Sequence, residues 1–272
     1  MKMHDEKDLD TATANVVDLL SVRRSRRNLL KGAALAGGGV VALSTAALLL
    51  PKGVIHAAGA ADTEGSETSA KGIFSIAATA ERLAVTFYSH GVANASKLGL
   101  SGASLAAIQA ALVEEQIHEL FFVANGGVPI TSTFSFPHAD DTFESLALFI
   151  ATQQQLEGVF DSAFIAAVKE FCYLGLPRVA QIACQIAMIE SEHRALGRYI
   201  AEQAGLSGFG PPADNWAFAP ALLESVSDAP AVVAAAGYLS PKAGNTFTYQ
   251  QVSTADAGVI YRTPFTVGED ND

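Results

Sequence analysis

Two Glu-x-x-His pairs set inside apolar helical runs constrain this chain more than any other feature. They are Glu115-Gln116-Ile117-His118 and Glu190-Ser191-Glu192-His193. Within each pair the carboxylate and the imidazole stand three residues apart, so on a helix they project from one face about one turn apart. Each pair follows a lone glutamate in a separate apolar run. Glu81 lies 34 residues before Glu115, and Glu157 lies 33 residues before Glu190. The chain therefore reads as two copies of a helix pair, each giving one carboxylate and one Glu-x-x-His. Antiparallel helices joined by short turns bring residues flanking the turn to similar heights. Two such pairs, related by a pseudo-twofold, put four carboxylates and two imidazoles in one layer.

The surrounding periodicity supports four helices. From about 70 to 95, Ile73, Phe74, Ala77, Ala80, Leu83, Ala84 and Phe87 recur at spacings of three and four. Gly99 and Ser101-Gly102 break the pattern, and Ser104 can cap a second helix over about 105–124. After a connection over 128–140, a third helix is expected from Asp141 or Thr142 to about Tyr173, with Glu144 in its first turn. Gly175-Leu176-Pro177 ends it, and a fourth helix runs from Pro177 to about Gly205. Two short hairpin connections and one longer crossover give the chain order of an all-α four-helix bundle. Residues 206–272 have a different texture, punctuated by Gly210-Pro211-Pro212, Asp228-Ala229-Pro230, Ser240-Pro241 and Thr263-Pro264. Helical periods fit 219–226 and 230–237, and the rest reads as extended or loop. This irregular C-terminal extension is expected to pack on the bundle rather than to form a domain of its own.

Four ionised carboxylates in an Ala/Leu/Phe interior cannot stay unpaired, since desolvation costs several kcal/mol for each. Two divalent ions balance four carboxylates, and oxygen with imidazole ligation suits iron or manganese. One Glu-x-x-His alone would read as solvated helix surface. Its repetition, each time at a matching distance from a preceding Glu, is far more specific. Other polar residues fit less well. Glu114 stands four before His118, a spacing without a counterpart at His193, and Glu119 reads as a rim residue. Gln153 reads as a helix-surface glutamine, His90 faces away from the layer, and His138 is a loop residue.

The order of ligands resembles that of the ferritin-like dinuclear carboxylate proteins, over about residues 70–205. Ala80-Glu81-Arg82-Leu83-Ala84-Val85-Thr86-Phe87-Tyr88 and Leu156-Glu157-Gly158-Val159 resemble first- and third-helix segments of a bacterial ferritin-like group with desiccation-related members. The resemblance implies Glu81 and Glu157 as terminal carboxylates, Glu115 and Glu190 as bridges, and His118 and His193 as imidazole ligands. It also implies two ions, Fe or Mn, with O₂ or peroxide as oxidant. Tyr88 keeps the offset at which ferritins place a tyrosine beside the metals, and becomes the candidate catalytic residue. Phe164 stands at the matching offset on the third helix. A ferroxidase-like or peroxide-scavenging role in stress protection is the expected function. A manganese-catalase-like enzyme and a non-enzymatic stress protein are the alternatives.

The first sixty residues differ in kind. They carry 8 Lys/Arg against 5 Asp/Glu, whereas residues 61–272 carry 9 against 23. That acidity argues against a nucleic-acid partner. Ser25-Arg26-Arg27-Asn28-Leu29-Leu30-Lys31 precedes an apolar run to Leu50, and Ala58-Gly59-Ala60 offers a peptidase site. The segment closely resembles a twin-arginine export signal. Four glycines, a lysine and two hydroxyls make the run a poor membrane anchor. The reading divides the chain into a signal over 1–60, a bundle over 61–205 and an extension over 206–272. The mature protein is expected to be periplasmic or otherwise exported, without stable membrane insertion, and a homo-oligomer is compatible with it. Cys172 and Cys184 flank the turn near 176, but levelling Glu157 with Glu190 offsets them at roughly 22 Å and 9 Å from that layer. Two unpaired, mostly packed thiols are expected.

Overall fold

Serine caps and one proline set where the helices begin. In a computed structural model, which describes residues 69–210 and 217–255, the Ser69 hydroxyl accepts from the Gly72 N–H and opens α1 (Ala70–Ala93). At the start of α2 (Gly102–Ala124), the Ser101 N–H donates to the Ser104 hydroxyl. The cap is thus Ser101, with Ser104 as its reciprocal partner. α3 (Leu146–Tyr173) starts behind Ser145, and α4 (Pro177–Gln203) carries Pro177 in its first turn. Between them Gly175, at φ 71°, supplies the left-handed residue of the turn.

The third helix begins later than its periodicity predicts. Residues Ala139–Phe143 form a 3-10 turn, and Glu144 pairs with Lys97 at 2.6 Å rather than opening a helix. The turn delivers the Phe143 ring to Phe87, Phe136 and Phe247. Burying that ring outweighs the modest helix propensity of the acidic stretch. His90 joins the same aromatic cluster, edge-on to Phe247 at 4.9 Å, and so faces away from the glutamates as its spacing requires.

α1 packs chiefly on α2 and α3 on α4, and the two pairs meet with α1 facing α3 and α2 facing α4. The described residues form an all-α bundle with one long crossover. The crossover carries β1 (Thr133–Phe134), which pairs antiparallel with β2 (Phe247–Thr248) of the extension, Phe134 opposite Phe247. The extension also contains a 3-10 turn (Val226–Asp228) and α5 (Ala229–Ala235), shorter than the helical periods suggested. It lies along α3: the Val226 N–H donates to Glu170, the Leu222 N–H to Ser162, and the Tyr238 hydroxyl to Gln155.

No helix among the described residues is long and apolar enough to cross a membrane. The expected signal and peptidase site lie outside the described residues. Cys172 and Cys184 are unpaired. Only Cys184 is half-buried; Cys172 is exposed, contrary to expectation, because the buried Phe171 takes the inward position of that turn.

Candidate metal centre

The α1 stripe that buries Ala77, Ala84 and Tyr88 also buries Glu81. α2 turns Glu115 and His118 to the same interior, α3 turns Glu157, and α4 turns Glu190 and His193. Glu81, Glu115 and Glu190 are 0% exposed, and Glu157 and His193 are 1% exposed. Only His118 retains an edge towards solvent, at 9%. All six residues singled out by spacing meet in one layer.

Within the layer each imidazole faces three carboxylates. His118 Nδ1 lies 3.6 Å from Glu115 Oε2, 3.6 Å from Glu190 Oε1 and 3.8 Å from Glu81 Oε2. His193 Nδ1 lies 3.0 Å from Glu115 Oε1, 3.4 Å from Glu190 Oε2 and 3.5 Å from Glu157 Oε1. Glu115 and Glu190 therefore turn one oxygen to each histidine. The result is two overlapping quartets, Glu81/Glu115/His118/Glu190 and Glu115/Glu157/Glu190/His193, each with its donor atoms within 4.8 Å of one another. Two ligands held about 2.1 Å from a common ion at right angles or tetrahedrally stand roughly 3.0–3.4 Å apart. The observed spacings suit such an arrangement.

The donor atoms also lack other partners. Both oxygens of Glu81, Glu115 and Glu190, one of Glu157, and Nδ1 of both histidines are buried without a hydrogen bond. Buried polar atoms are normally satisfied, and these converge on two points. The residues fit a pair of cations.

Electrostatics give the same picture. Burial, reinforced by the neighbouring Glu115 charge, drives Glu81 and Glu190 well above the usual carboxylate range. Burial acts on Glu115 in the same sense, but the facing imidazoles of His118 and His193 outweigh it and hold Glu115 low. Burial would lower His193, yet the acidic groups around it, Tyr88 and Glu157 ahead of Glu114 and Glu115, hold it well above the usual imidazole range. Without cations the layer keeps protons that cations would displace.

Around the quartets stand residues that spacing did not single out. His193 Nε2 lies 2.8 Å from Glu114 Oε2, which fixes the tautomer that leaves Nδ1 free for an ion. Glu114 is thus no competitor of Glu115; it reaches across to α4, where no local pattern announces it. The Tyr88 hydroxyl donates to Glu157 and accepts from Gln153 Nε2 at 3.1 Å. Burial, then the Glu157 charge, pushes the Tyr88 phenol well above its ordinary range. Gln153 is buried, not a surface residue, and its Nε2 also donates to the His193 carbonyl. Gly197 makes this possible, because a Cβ there would overlap the Gln153 amide. Glu119 corrects the expectation of a rim residue. It is buried outside the layer, paired with Arg82 at 2.8 Å and hydrogen-bonded to Gln116. The Arg82 guanidinium lies over Tyr249 at 4.6 Å, so the extension covers that network. His138 stays at the start of the 3-10 turn, away from the layer.

Comparison with family models matches a ferritin-like domain over residues 69–203, the span that carries all six layer residues. Residues 69–203 form a ferritin-like domain. Neither the curated proteins nor the solved structures give a match. The ferritin-like domain supplies the architecture in which two helix pairs offer carboxylates and imidazoles to metal.

Proposed function

We propose that the chain is an exported dinuclear iron or manganese protein that uses O₂ or peroxide as oxidant, ferroxidase-like or peroxide-scavenging in stress protection. The observation that carries this reading is the pair of quartets sharing Glu115 and Glu190. In it Glu81 and Glu157 would serve as the terminal carboxylates, Glu115 and Glu190 as the shared ones, and His118 and His193 as the imidazole ligands. Iron or manganese held there would supply one electron per ion to an oxidant. The chain's own residues do the rest. The closed layer excludes water, Glu114 holds the His193 tautomer, and Tyr88, the candidate catalytic residue, holds its hydroxyl proton towards the Glu157 carboxylate. The segments resembling desiccation-related proteins support the stress role, and Arg26-Arg27 ahead of a mild apolar run supports twin-arginine export.

A second reading, in which the ions only pin the bundle, is favoured by the near-complete burial of the layer. Metal analysis of protein purified without added metal, followed by Fe(II)-oxidation and peroxide-consumption assays, separates the two. Two equivalents of Fe or Mn with turnover of either substrate support the proposal. Peroxide consumption without Fe(II) oxidation marks a catalase-like enzyme, and bound metal without turnover marks the structural role. For export, replacing Arg26 and Arg27 with Lys leaves unprocessed precursor in the cytoplasm. Normal processing of that variant overturns the assignment.

A further inference from the structure

A cavity of about 90 Å³ lies between α1 and α3, flanked on its outer side by α5 and by the 130–134 segment. Its room comes from small residues on facing helices, Ala77 and Ala80 on α1 and Ala163 and Ala167 on α3. Phenylalanines, Phe160 and Phe164 among them, form the walls. The two threonines that line it have spent their hydroxyls elsewhere. Thr79 donates to the Ser75 carbonyl at 2.7 Å and accepts from the Ile130 N–H at 2.9 Å. Thr131 is engaged by the Thr133 backbone at 3.1 and 3.2 Å. The cavity therefore offers a ligand no hydrogen bond and gives water no partners.

Its shape selects further. Lining residues run from Ile73 to Leu83 on α1 and from Phe160 to Phe171 on α3, roughly 15 Å along each helix. A small volume drawn out over that length is a narrow channel. Ile130 is exposed and marks the open end, and its N–H bond to Thr79 sets that end within one turn of Glu81. The other end runs away from the carboxylate layer to Ile73 on α1 and Phe171 on α3, where the Val226 N–H reaches Glu170.

We propose that this channel binds one unbranched hydrocarbon chain, its polar end left at the Ile130 mouth and its apolar end towards Ile73 and Phe171. The inference goes beyond the dinuclear reading and stands apart from it, because the channel is built from residues that hold no ion. The test is a calorimetric titration of the full chain, both metal-free and Mn-loaded, with straight 1-alkanols from butanol to decanol and with cyclohexanol. Affinity is expected to rise about fourfold per methylene and then level off at one chain length. Cyclohexanol is expected to bind at least tenfold more weakly than hexanol. Ala167→Leu fills the channel and lowers hexanol affinity at least tenfold; Ala80→Leu, at a half-buried position, provides the same test if the first variant fails to fold. Tyr199→Phe on α4 leaves binding unchanged. Absence of binding, affinity without length dependence, cyclohexanol binding as well as hexanol, or wild-type binding by both filled variants makes the cavity a packing void and overturns the proposal. Loss of metal loading without loss of alkanol binding counts against the dinuclear reading alone.

Discussion

His193 and His118 occupy matching places in the two helix pairs, yet their surroundings differ. His193 has its Nε2 held by Glu114 and its ring edge-on to Tyr88 at 5.8 Å. No carboxylate lies within ion-pairing distance of His118 Nε2 among the described residues. The phenol is also one-sided. Tyr88 follows Glu81 by seven residues but donates to Glu157, across the bundle. Phe164, at the same offset on α3, stacks on Phe122 at 5.8 Å and lines the apolar channel. One end of the layer thus meets a hydrogen-bonded network of phenol, amide and carboxylate, and the other meets hydrocarbon. A repeated ligand pattern does not make two equivalent positions; the contacts that differ come from residues the repeat does not contain.

The strongest way to break this comparison is to remove what both ends share. Glu115→Ala with Glu190→Ala is expected to abolish loading at both positions and to cancel the rise in melting temperature that metal gives the native protein. That rise corresponds to about 2.7 kcal/mol per site at a hundredfold excess over the dissociation constant. Metal analysis and differential scanning calorimetry check it. If the double variant binds as much Fe and Mn as wild type and melts identically, the layer is not a metal site.

Next in size is the pH response of metal-free protein. Glu81, Glu190 and His193 have folded-state values raised above their unfolded ones. Their contribution to stability is full below the unfolded values and is lost as pH rises through the folded ones. Glu115 is shifted the other way, so its contribution is lost only as pH falls below the ordinary carboxylate range. From about pH 5 upwards the metal-free melting temperature is therefore expected to fall. Metal displaces those protons, so loading stabilises more at pH 7.5 than at pH 5.5 and releases acid, which a weakly buffered titration reads. Equal metal stabilisation at both values would sink the account of the layer as a proton store.

A smaller change sharpens the difference between the ends. Glu114→Ala releases His193 Nε2 and is expected to weaken one of the two binding steps by about 10–100-fold while sparing the other. Competition against a chelator resolves the two steps, and equal weakening of both means the ends are coupled. The smallest expected effect is that of Tyr88→Phe. Metal content is expected to stay at the wild-type level, while the rate of Fe(II) oxidation or peroxide consumption changes. Lost metal would make Tyr88 a support for Glu157 rather than a catalytic group.

The six layer residues were legible because helices convert spacing into direction. Glu115 and His118 share a face whatever the rest of the chain does, and short hairpins keep Glu81 and Glu157 level with their partners. Glu114, Gln153 and Glu119 depart from their sequence reading for one reason. Their partners are His193, Tyr88 and Arg82, on other helices, and no periodicity along one helix reports which neighbour a long side chain will reach. Gly197 carried a usable sign, four residues after His193 on a helix where a small residue admits the Gln153 amide. The late start of α3 and the exposure of Cys172 were likewise decided by rings, Phe143 and Phe171, competing for inward positions.

The β1–β2 pairing and the bonds from Tyr249 and Val252 to Gln116 have a consequence for synthesis. A chain emerging from the ribosome exposes every layer residue by position 193, yet the segment that covers Arg82, Gln116 and Glu119 is still to be made. Contacts spanning 133 residues or more close that wall. The hairpins α1–α2 and α3–α4 can form early from local contacts, whereas sealing waits for pairings of high sequence separation, the slow class of folding events. A nascent chain paused near residue 240 therefore presents a bundle with an open flank, and the buried polar network closes only once Tyr249 and Val252 have been made.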